Sequence, residues 1–390
     1  MTNGIVQLKK DRDKSIRAYH PWIFSGAVQA VLHAPQTGDI VDVIDASGKF
    51  LGRGFYNNSS SIVVRVHTFE DIPLDEEYFR HRIHAAVEYR KKLGINSNSM
   101  RVVNGSGDFI PGLIIDKYGD TLAIQFNSAG LYMRKDIIVK YLVEEFNPSC
   151  IYDRTDEKTR AEENINATNQ LLYGSENSES LTVMEGDMSF PVSVVHGQKT
   201  GFYLDLRSVR NRIRTMAKNK SILNLFCYTG SISLTALSAG ASSVASVDSS
   251  QSVLDMLNAE IEKRGFTEKH RSTCDNAFEF VRKEQELFDI IIVDPPPLCK
   301  KKMHVDKSSR AYKDVNMHAF KIAKTGGFVI TLCCSHHISM DLFKKIIFAA
   351  AKDTCKNVRI AETIGQEPDH PVNVYHPESE YFKGLLLYIE

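Results

Sequence analysis

The chain lacks the features that would mark a secreted, membrane-bound or metal-built protein. No apolar run follows Met1, so no secretory signal is expected. No stretch approaches the roughly 20 apolar residues that a membrane-spanning helix needs. Seven cysteines are scattered without paired spacing: Cys150, Cys227, Cys274, Cys299, Cys333, Cys334 and Cys355. With no C-x-x-C and no spaced histidine pair, a metal site is not expected. Reduced thiols in a cytoplasmic protein fit this pattern better than a disulfide framework. Excess charge is missing too, since 48 Lys and Arg balance 48 Asp and Glu. That balance does not exclude nucleic acid, because local basic patches matter more than the total. Internal repeats and low-complexity segments are absent, and 390 residues suffice for two or three domains with their own cores.

Three regions follow one another. Residues 1–70 alternate apolar and polar positions between turn signals at Asp45–Gly48 and Asn57–Ser60, which predicts short strands in a small β-barrel-like module. Residues 71–190 read as an α+β domain. Phe79, Ile83, Ala86, Val87 and Leu93 recur at helical spacing within 74–94, and Gly94 is placed to end that helix. A hairpin is expected over 109–127, a helix near 131–145, a short strand around Ile151 and an exposed loop at 175–180. From 191 to 390 strands and helices alternate, with strands expected at 221–226, 243–247, 289–293 and 327–332. This rhythm predicts a doubly wound parallel sheet, and ligands on such sheets bind at the carboxyl ends of the strands.

Three of those strand ends carry a cofactor signal. "LNLFCYTGSISLTALSAGA" reads as a strand, a small-residue turn at Thr229–Gly230–Ser231, and a helix. A glycine there lets backbone N–H groups approach a ligand. The next strand ends in Asp248, where an acidic side chain can bind ribose hydroxyls, and Asp275 falls where the third strand should end. The dinucleotide pattern G-x-G-x-x-G is absent, and Phe226–Gly230 holds a single glycine, as is usual for S-adenosylmethionine sites. An ordinary strand–turn–helix with unrelated acidic ends is the plainer reading of any one element. Three in order, at plausible spacing, favour the cofactor.

Several further motifs agree in order: "LKKDRDKSIRAYHPWIFSGAV", "PGLIIDKYGD", "HGQKTGFYLDLRSVR", "VDPPPLCKKK", "RAYKDVNMHAFKI", "CCSHHIS" and "DHPVNVYHPESEYFKG". Over nearly its whole length the chain resembles the bacterial large-subunit rRNA cytosine-C5 methyltransferases that carry an N-terminal PUA domain. The resemblance implies a β-barrel PUA domain, a central α+β domain and a class I (Rossmann-like) methyltransferase domain. It implies S-adenosylmethionine as cofactor, large-subunit ribosomal RNA as partner and no membrane, and leaves a homodimer open. Cofactor contacts are implied for Gln198, Thr200, Phe202, Asn224, Phe226, Cys227, Tyr228, Thr229, Gly230, Ser231, Asp248, Ser249, Asp275, Asn276 and Asp294.

Carbon-5 of cytosine is a poor nucleophile until a thiolate adds to carbon-6, so the reaction needs a cysteine beside the base and an acidic group near N3. Matching "CCSHHIS" to the family motif puts the nucleophile at Cys334, with Asp294 of "DPPP" as the acidic group. Neighbouring side chains on an extended backbone face opposite ways, so Cys333 is expected to pack instead. Taken alone, a free cysteine is more often a buried small hydrophobe. Cys299 is read as incidental. His336 and His337, where some family members carry small residues, are read as solvated or packed side chains. A metal site built from Cys333, Cys334, His336 and His337 is disfavoured, because consecutive ligands cannot easily converge on one ion.

Basic segments at 9–20, 80–92 and 300–313 are candidates for tracking an RNA backbone, although such runs are usually solvated faces. Trp22 and Phe24 could stack on bases or belong to a core. Two other readings compete. One is a guanine-N7 or other ring-nitrogen methyltransferase, which would not need Cys334. The other is an RNA-binding protein that holds S-adenosylmethionine without turnover.

Overall fold

The computed structural model describes residues 3–175 and 181–390. The loop expected at 175–180 lies, Ser175 apart, outside the described residues. By compactness the chain divides into two units, Met1–Leu204 with Pro368–Ser379, and Asp205–Glu367 with Glu380–Glu390.

The first unit opens with six short strands: β1 Gly4–Leu8, β2 Trp22–Phe24, β3 Val28–Leu32, β4 Ile40–Ile44, β5 Phe50–Tyr56 and β6 Ile62–Thr68. They pair in the order β2-β6-β5-β4-β1-β3. The two edge strands, β2 and β3, are joined only by Ser25–Ala27. A flat sheet of this size would hold its edges about 24 Å apart, at ~4.8 Å per strand. The connecting residues reach at most ~14 Å. The sheet must therefore curl until its edges approach, which gives the barrel-like module. Val41 and Val43 of β4 and Val64 and Val66 of β6 alternate inward and are buried. Both expected turns are present and are held by side chains. Asp45 Oδ1 accepts the N–H groups of Ser47 (2.9 Å) and Lys49 (3.0 Å), and Asn57 Oδ1 accepts those of Ser59 (2.8 Å) and Ser60 (3.1 Å).

Helix α1, Glu76–Lys92, follows. Asp75 caps it by accepting the N–H of Tyr78 at 3.0 Å, and Phe79, Ile83, Ala86 and Val87 form its buried face. Strands β7 Ser99–Asn104, β8 Leu113–Tyr118, β9 Thr121–Phe126, β10 Cys150–Asp153 and β11 Gln170–Gly174 form a second sheet, ordered β11-β10-β9-β8-β7. Its β8-β9 pair is the expected hairpin. The helix expected near 131–145 is instead a single turn, Ala129–Tyr132, and then α2, Lys135–Phe146. Gly130 lies flush against Phe55, where a Cβ would come within 2.2 Å of the ring, and this contact pins the first turn. Arg134 then donates to the carbonyl of Gly130 at 2.9 Å and redirects the chain into α2. A hairpin, β12 Leu181–Glu185 and β13 Met188–Val192, precedes the segment "HGQKTGF".

The second unit runs α3 Arg207–Met216, β14 Ser221–Leu225, α4 Ser231–Ser238, β15 Ser243–Asp248, α5 Gln251–Lys263, β16 His270–Cys274 and α6 Ala277–Lys283. It continues through β17 Phe288–Val293, α7 Val305–Ile322, β18 Ala323–Cys333, α8 Met340–Thr354, β19 Val358–Ile364 and β20 Lys383–Ile389. The sheet order is β16-β15-β14-β17-β18-β20-β19. The first five strands are parallel, and β20 runs antiparallel to both of its neighbours. Leu223, Leu225, Ile291, Val293 and Val329 are wholly buried in one core, as a sheet covered on both faces requires. Strand β18 starts earlier than expected because a bulge absorbs residues 324–327: Ala323 pairs with Phe288, and Phe328 with Ile290. The strand order reverses between β14 and β17, which puts the ligand crevice at their carboxyl ends.

Candidate active site

At the end of β14 the chain makes an unusual turn. Phe226 (φ +60), Tyr228 (φ +49) and Gly230 (φ +74) all take left-handed backbone conformations. The turn also closes on itself, with the Gly230 N–H donating to the Cys227 carbonyl at 2.9 Å. Gly230 is required twice over, by its φ and because a Cβ would meet Leu257 Cδ1 at 2.3 Å. A left-handed conformation costs roughly 1–2 kcal/mol at each non-glycine position, and neighbouring strands supply the ties that hold it. Cys227 N–H donates to the Val247 carbonyl at 3.0 Å, and Tyr228 N–H donates to Asp248 Oδ2 at 2.9 Å. The other Asp248 oxygen accepts the Ser250 N–H at 3.0 Å. Asp275 N–H donates to the Asp248 carbonyl at 3.1 Å, so the ends of three adjacent strands are laced together. Asn276 caps α6 through the N–H of Phe278 at 2.9 Å.

The remaining residues expected at this turn divide by exposure. Thr229 and Ser231 are half-buried and Ser249 is exposed. Cys227 is buried, and burial pushes its thiol far up, so it is neutral packing. Asn224 is buried as well, and its amide donates to Ser233 Oγ at 2.9 Å. Ser233 contacts Ser246 Oγ at 2.8 Å, and Ser246 contacts His270 Nε2 at 2.9 Å. This polar relay crosses the unit's interior, and burial holds His270 down at about 4.

Asp294 and Cys334 leave neighbouring parallel strands. Asp294 directly follows Val293, which pairs with Thr331, and Cys334 directly follows Cys333, which pairs with Lys383 of β20. Asp294 and Cys334 are each half-buried, whereas Cys333 is wholly buried in the core. Burial pushes the Cys333 thiol up. The loops that follow the two strands are tied by Ser335, whose Oγ accepts the Cys299 N–H at 3.0 Å and lies 2.9 Å from the Tyr312 hydroxyl. Cys299 is buried, with its Sγ 3.4 Å from the Lys301 carbonyl. His336 is exposed and His337 half-buried, their rings 5.0 Å apart. The grouping of metal-capable side chains found among the described residues is elsewhere, at His20, His376 and Glu378 of the first unit. There the Trp22 N–H donates to His20 Nδ1 at 3.2 Å, and His20 Nε2 lies 3.3 Å from Glu378 Oε2.

One residue escaped the sequence reading. Lys383 on β20 pairs across the sheet with Cys333 and is buried. Its ammonium donates to the Tyr381 carbonyl at 3.1 Å. Burial lowers its pKa, while ionised sulfur at Cys333 or Cys334 would raise it. The reciprocal effect favours thiolate. A lysine in the otherwise apolar run "FKGLLLYI" was the available signal.

Gln198, Thr200 and Phe202 belong to the first unit. Thr200 Oγ1 donates to Asp116 Oδ2 at 2.6 Å and lies 2.8 Å from the Tyr118 hydroxyl, inside a network that includes the Arg101–Asp116 ion pair at 2.8 Å. Phe202 stacks on Phe190 at 5.4 Å, and Gln198 accepts the Tyr203 hydroxyl at 2.6 Å. Trp22 packs on His376 at 4.2 Å between ring centres, while Phe24 is about half exposed.

A sheet of this order, a strained turn after its first strand and acidic residues closing the next two define an S-adenosylmethionine-dependent methyltransferase. Residues 163–373 match the family model described as S-adenosylmethionine-dependent methyltransferase, and residues 6–69 match that of a PUA-like domain. The chain belongs to this methyltransferase family, and S-adenosylmethionine is its cofactor. It is 36% identical over 389 residues to the ribosomal RNA large subunit methyltransferase I of Shewanella amazonensis, covering 98% of each chain. To the protein of the same name from Escherichia coli O139:H28 it is 37% identical over 386 residues, covering 97% of each. A methyltransferase solved in complex with SAH shares the fold, with a TM-score of 0.84 at 22% identity over 99% of this chain and 100% of that one.

Proposed function

We propose that this chain methylates carbon-5 of a cytosine in large-subunit ribosomal RNA, in the cytoplasm, with Cys334 as nucleophile. The observation that carries this reading is the contrast between the two adjacent thiols. Cys334 is half-buried, as is Asp294 at the end of the neighbouring strand, and Cys333 is sealed in the core. The full-length relatives named above act on the large-subunit RNA by name, which supports the substrate.

In this reading Lys383 favours the Cys334 thiolate, which adds to carbon-6 and pushes its electron pair toward carbon-5. S-adenosylmethionine, when bound, supplies an electrophilic methyl group. Asp294 holds the N3 and exocyclic-amine edge of the base, which fixes the ring over the thiol. Once carbon-5 carries the methyl group, its proton leaves to a base and the sulfur–carbon bond breaks, returning the thiolate. Asp248 binds the ribose hydroxyls of the cofactor, and Gly230 with its neighbours provides the turn beside it. Gln198, Thr200 and Phe202 enter through the motif resemblance. The three-part division into residues 1–70, 71–190 and 191–390 assigns RNA binding to the first part and chemistry to the last.

Nucleoside mass spectrometry tests the reading. Large-subunit RNA from a strain lacking this gene should gain 5-methylcytidine when incubated with the purified protein and S-adenosylmethionine. A gain of 7-methylguanosine instead would replace cytosine chemistry with the ring-nitrogen alternative.

A further inference from the structure

All three basic stretches mix paired and unpaired charges. Along α1, Arg80 pairs with Glu144 at 2.8 Å and Lys91 with Glu88 at 2.7 Å, and Arg90 is buried against Asp108. In the N-terminal stretch Arg17 bonds both Asp13 and Asp45 at 2.6 Å, whereas Lys9, Lys10, Arg12 and Lys14 meet no carboxylate among the described residues. What sets apart the stretch that follows Asp294 is that its unpaired charges converge on one cavity. Lys300, Lys301, His304 and Lys307 surround one cavity of about 550 Å³, and none of the four meets a carboxylate within 4.0 Å. Its floor is apolar, formed by Phe278 and Leu298. A neighbouring groove of about 500 Å³ shares Phe278 as a wall, but two of its three cations are paired, Arg282 with Asp314 at 2.7 Å and Lys313 with Asp353 at 2.5 Å.

The unpaired cavity is built into the active site's own framework. The Leu298 carbonyl accepts the Ser308 hydroxyl at 2.9 Å, which closes the loop onto α7. The next residue, Cys299, donates its N–H to Ser335 beside Cys334. On the other wall, Phe278 packs edge-on against Phe226, the first residue of the strained cofactor turn, at 5.4 Å. The cavity is thus tied by hydrogen bonds and packing to the loops that carry Asp294 and Cys334, while neither residue lines it. Flat apolar floors accept bases by stacking, and clustered ammonium groups accept phosphates. S-adenosylmethionine offers an adenine to the apolar floor but no phosphate to the cationic rim, so the lysine cluster is what favours a nucleotide with flanking phosphates.

We propose that this cavity holds a nucleotide of the substrate RNA strand adjacent to the target base, with its base on Phe278 and Leu298 and its flanking phosphates on Lys300, Lys301 and Lys307. The proposal rests on the RNA-methyltransferase reading but not on which atom is methylated. Holding a neighbouring nucleotide here would keep the strand open beside the target, so that the target base can reach Cys334.

The test uses the full-length protein and unmodified large-subunit RNA, with binding measured at several salt concentrations. The triple variant K300Q/K301Q/K307Q should lower the slope of log K against log salt by about 2, at ~0.7 per single-strand phosphate contact. Calorimetric affinity for S-adenosylmethionine should not change. Phe278→Leu should weaken RNA binding about tenfold at every salt concentration without changing the slope. An unchanged slope in the triple variant, with the fold verified by thermal denaturation, would overturn the proposal. So would an unchanged slope with weakened cofactor affinity, which would give the cavity to S-adenosylmethionine. A reduced slope accompanied by a product other than 5-methylcytidine would uphold this inference and reject the carbon-5 reading.

Discussion

In the proposed reading Asp248 both binds the cofactor ribose and ties the turn, and its removal should show both. One carboxylate oxygen accepts the N–H of Tyr228 at 2.9 Å and the other that of Ser250 at 3.0 Å. Tyr228 is one of the left-handed residues of the cofactor turn, so this bond helps hold a conformation that relaxes without it. Asp248→Asn keeps the shape and one acceptor oxygen, but its amide group then faces a backbone N–H. Loss of one charge-assisted bond costs about 1.5–3 kcal/mol, which corresponds to a roughly 10- to 150-fold weaker cofactor dissociation constant. Asp248→Ala loses both bonds and should bind still more weakly. Calorimetric titration with S-adenosylmethionine and with S-adenosylhomocysteine separates the causes. The homocysteine form lacks the sulfonium charge, so equal losses for both ligands identify the ribose contact and the turn rather than charge attraction. Unchanged affinities in a variant that keeps its thermal stability would refute the assignment of Asp248 to the cofactor site.

Other consequences follow from buried and paired groups. Cys333→Ala should retain most activity while losing about 1–2 kcal/mol of stability by denaturant titration, because it removes a core sulfur; loss of activity at unchanged stability would contradict its packing role. Lys383→Met should move the ascending limb of the kcat/KM pH profile upward by about one unit, because a cation near the thiol lowers its pKa. Alkaline buffer should then restore the rate, and superimposable profiles would remove Lys383 from the site. Asp289 is held down at about 2: burial pushes it up, but the Ser221 N–H and the Lys324 ammonium outweigh that. Its stabilisation is complete above the unfolded carboxylate value of ~3.9 and is lost as pH falls through about 2. Asp289→Asn should cost about 2 kcal/mol at pH 7 and progressively less as pH falls through about 2, and an equal difference at pH 7 and pH 1 would contradict the ion pair.

The second unit was the more legible in sequence because its periodicities are strong. Continuous apolar strands such as "DIIIV" alternate with helices, and all four expected strands are present, β18 extended at its start by the bulge. Asp248 could be placed because it closes an apolar run in sequence, and in the sheet it pairs with Cys274 as the last residue of β15. What could not be read depends on contacts distant in sequence. The break at Met133–Arg134 arises from Gly130 meeting Phe55, a packing event without a local signature. The burial of Thr200 on Asp116 and Tyr118 likewise joins residues more than 80 apart. Lys383 escaped because its neighbour Cys333 lies on another strand, and only the antiparallel register reveals the pair. The "CC" dipeptide was readable for the opposite reason, since alternation along an extended backbone separates adjacent side chains without any distant partner.

The central claim is that Cys334 forms a transient bond to cytosine, and covalent trapping tests it most directly. Large-subunit RNA transcribed with 5-fluorocytidine should form a denaturation-resistant complex with the protein in the presence of S-adenosylmethionine, because fluorine cannot leave carbon-5 as a proton does. The account predicts that complex with the unmodified protein and with Cys333→Ala, and none with Cys334→Ala. A complex that persists in Cys334→Ala and vanishes in Cys333→Ala would assign the wrong thiol, and full methylation by both variants would contradict the covalent mechanism altogether.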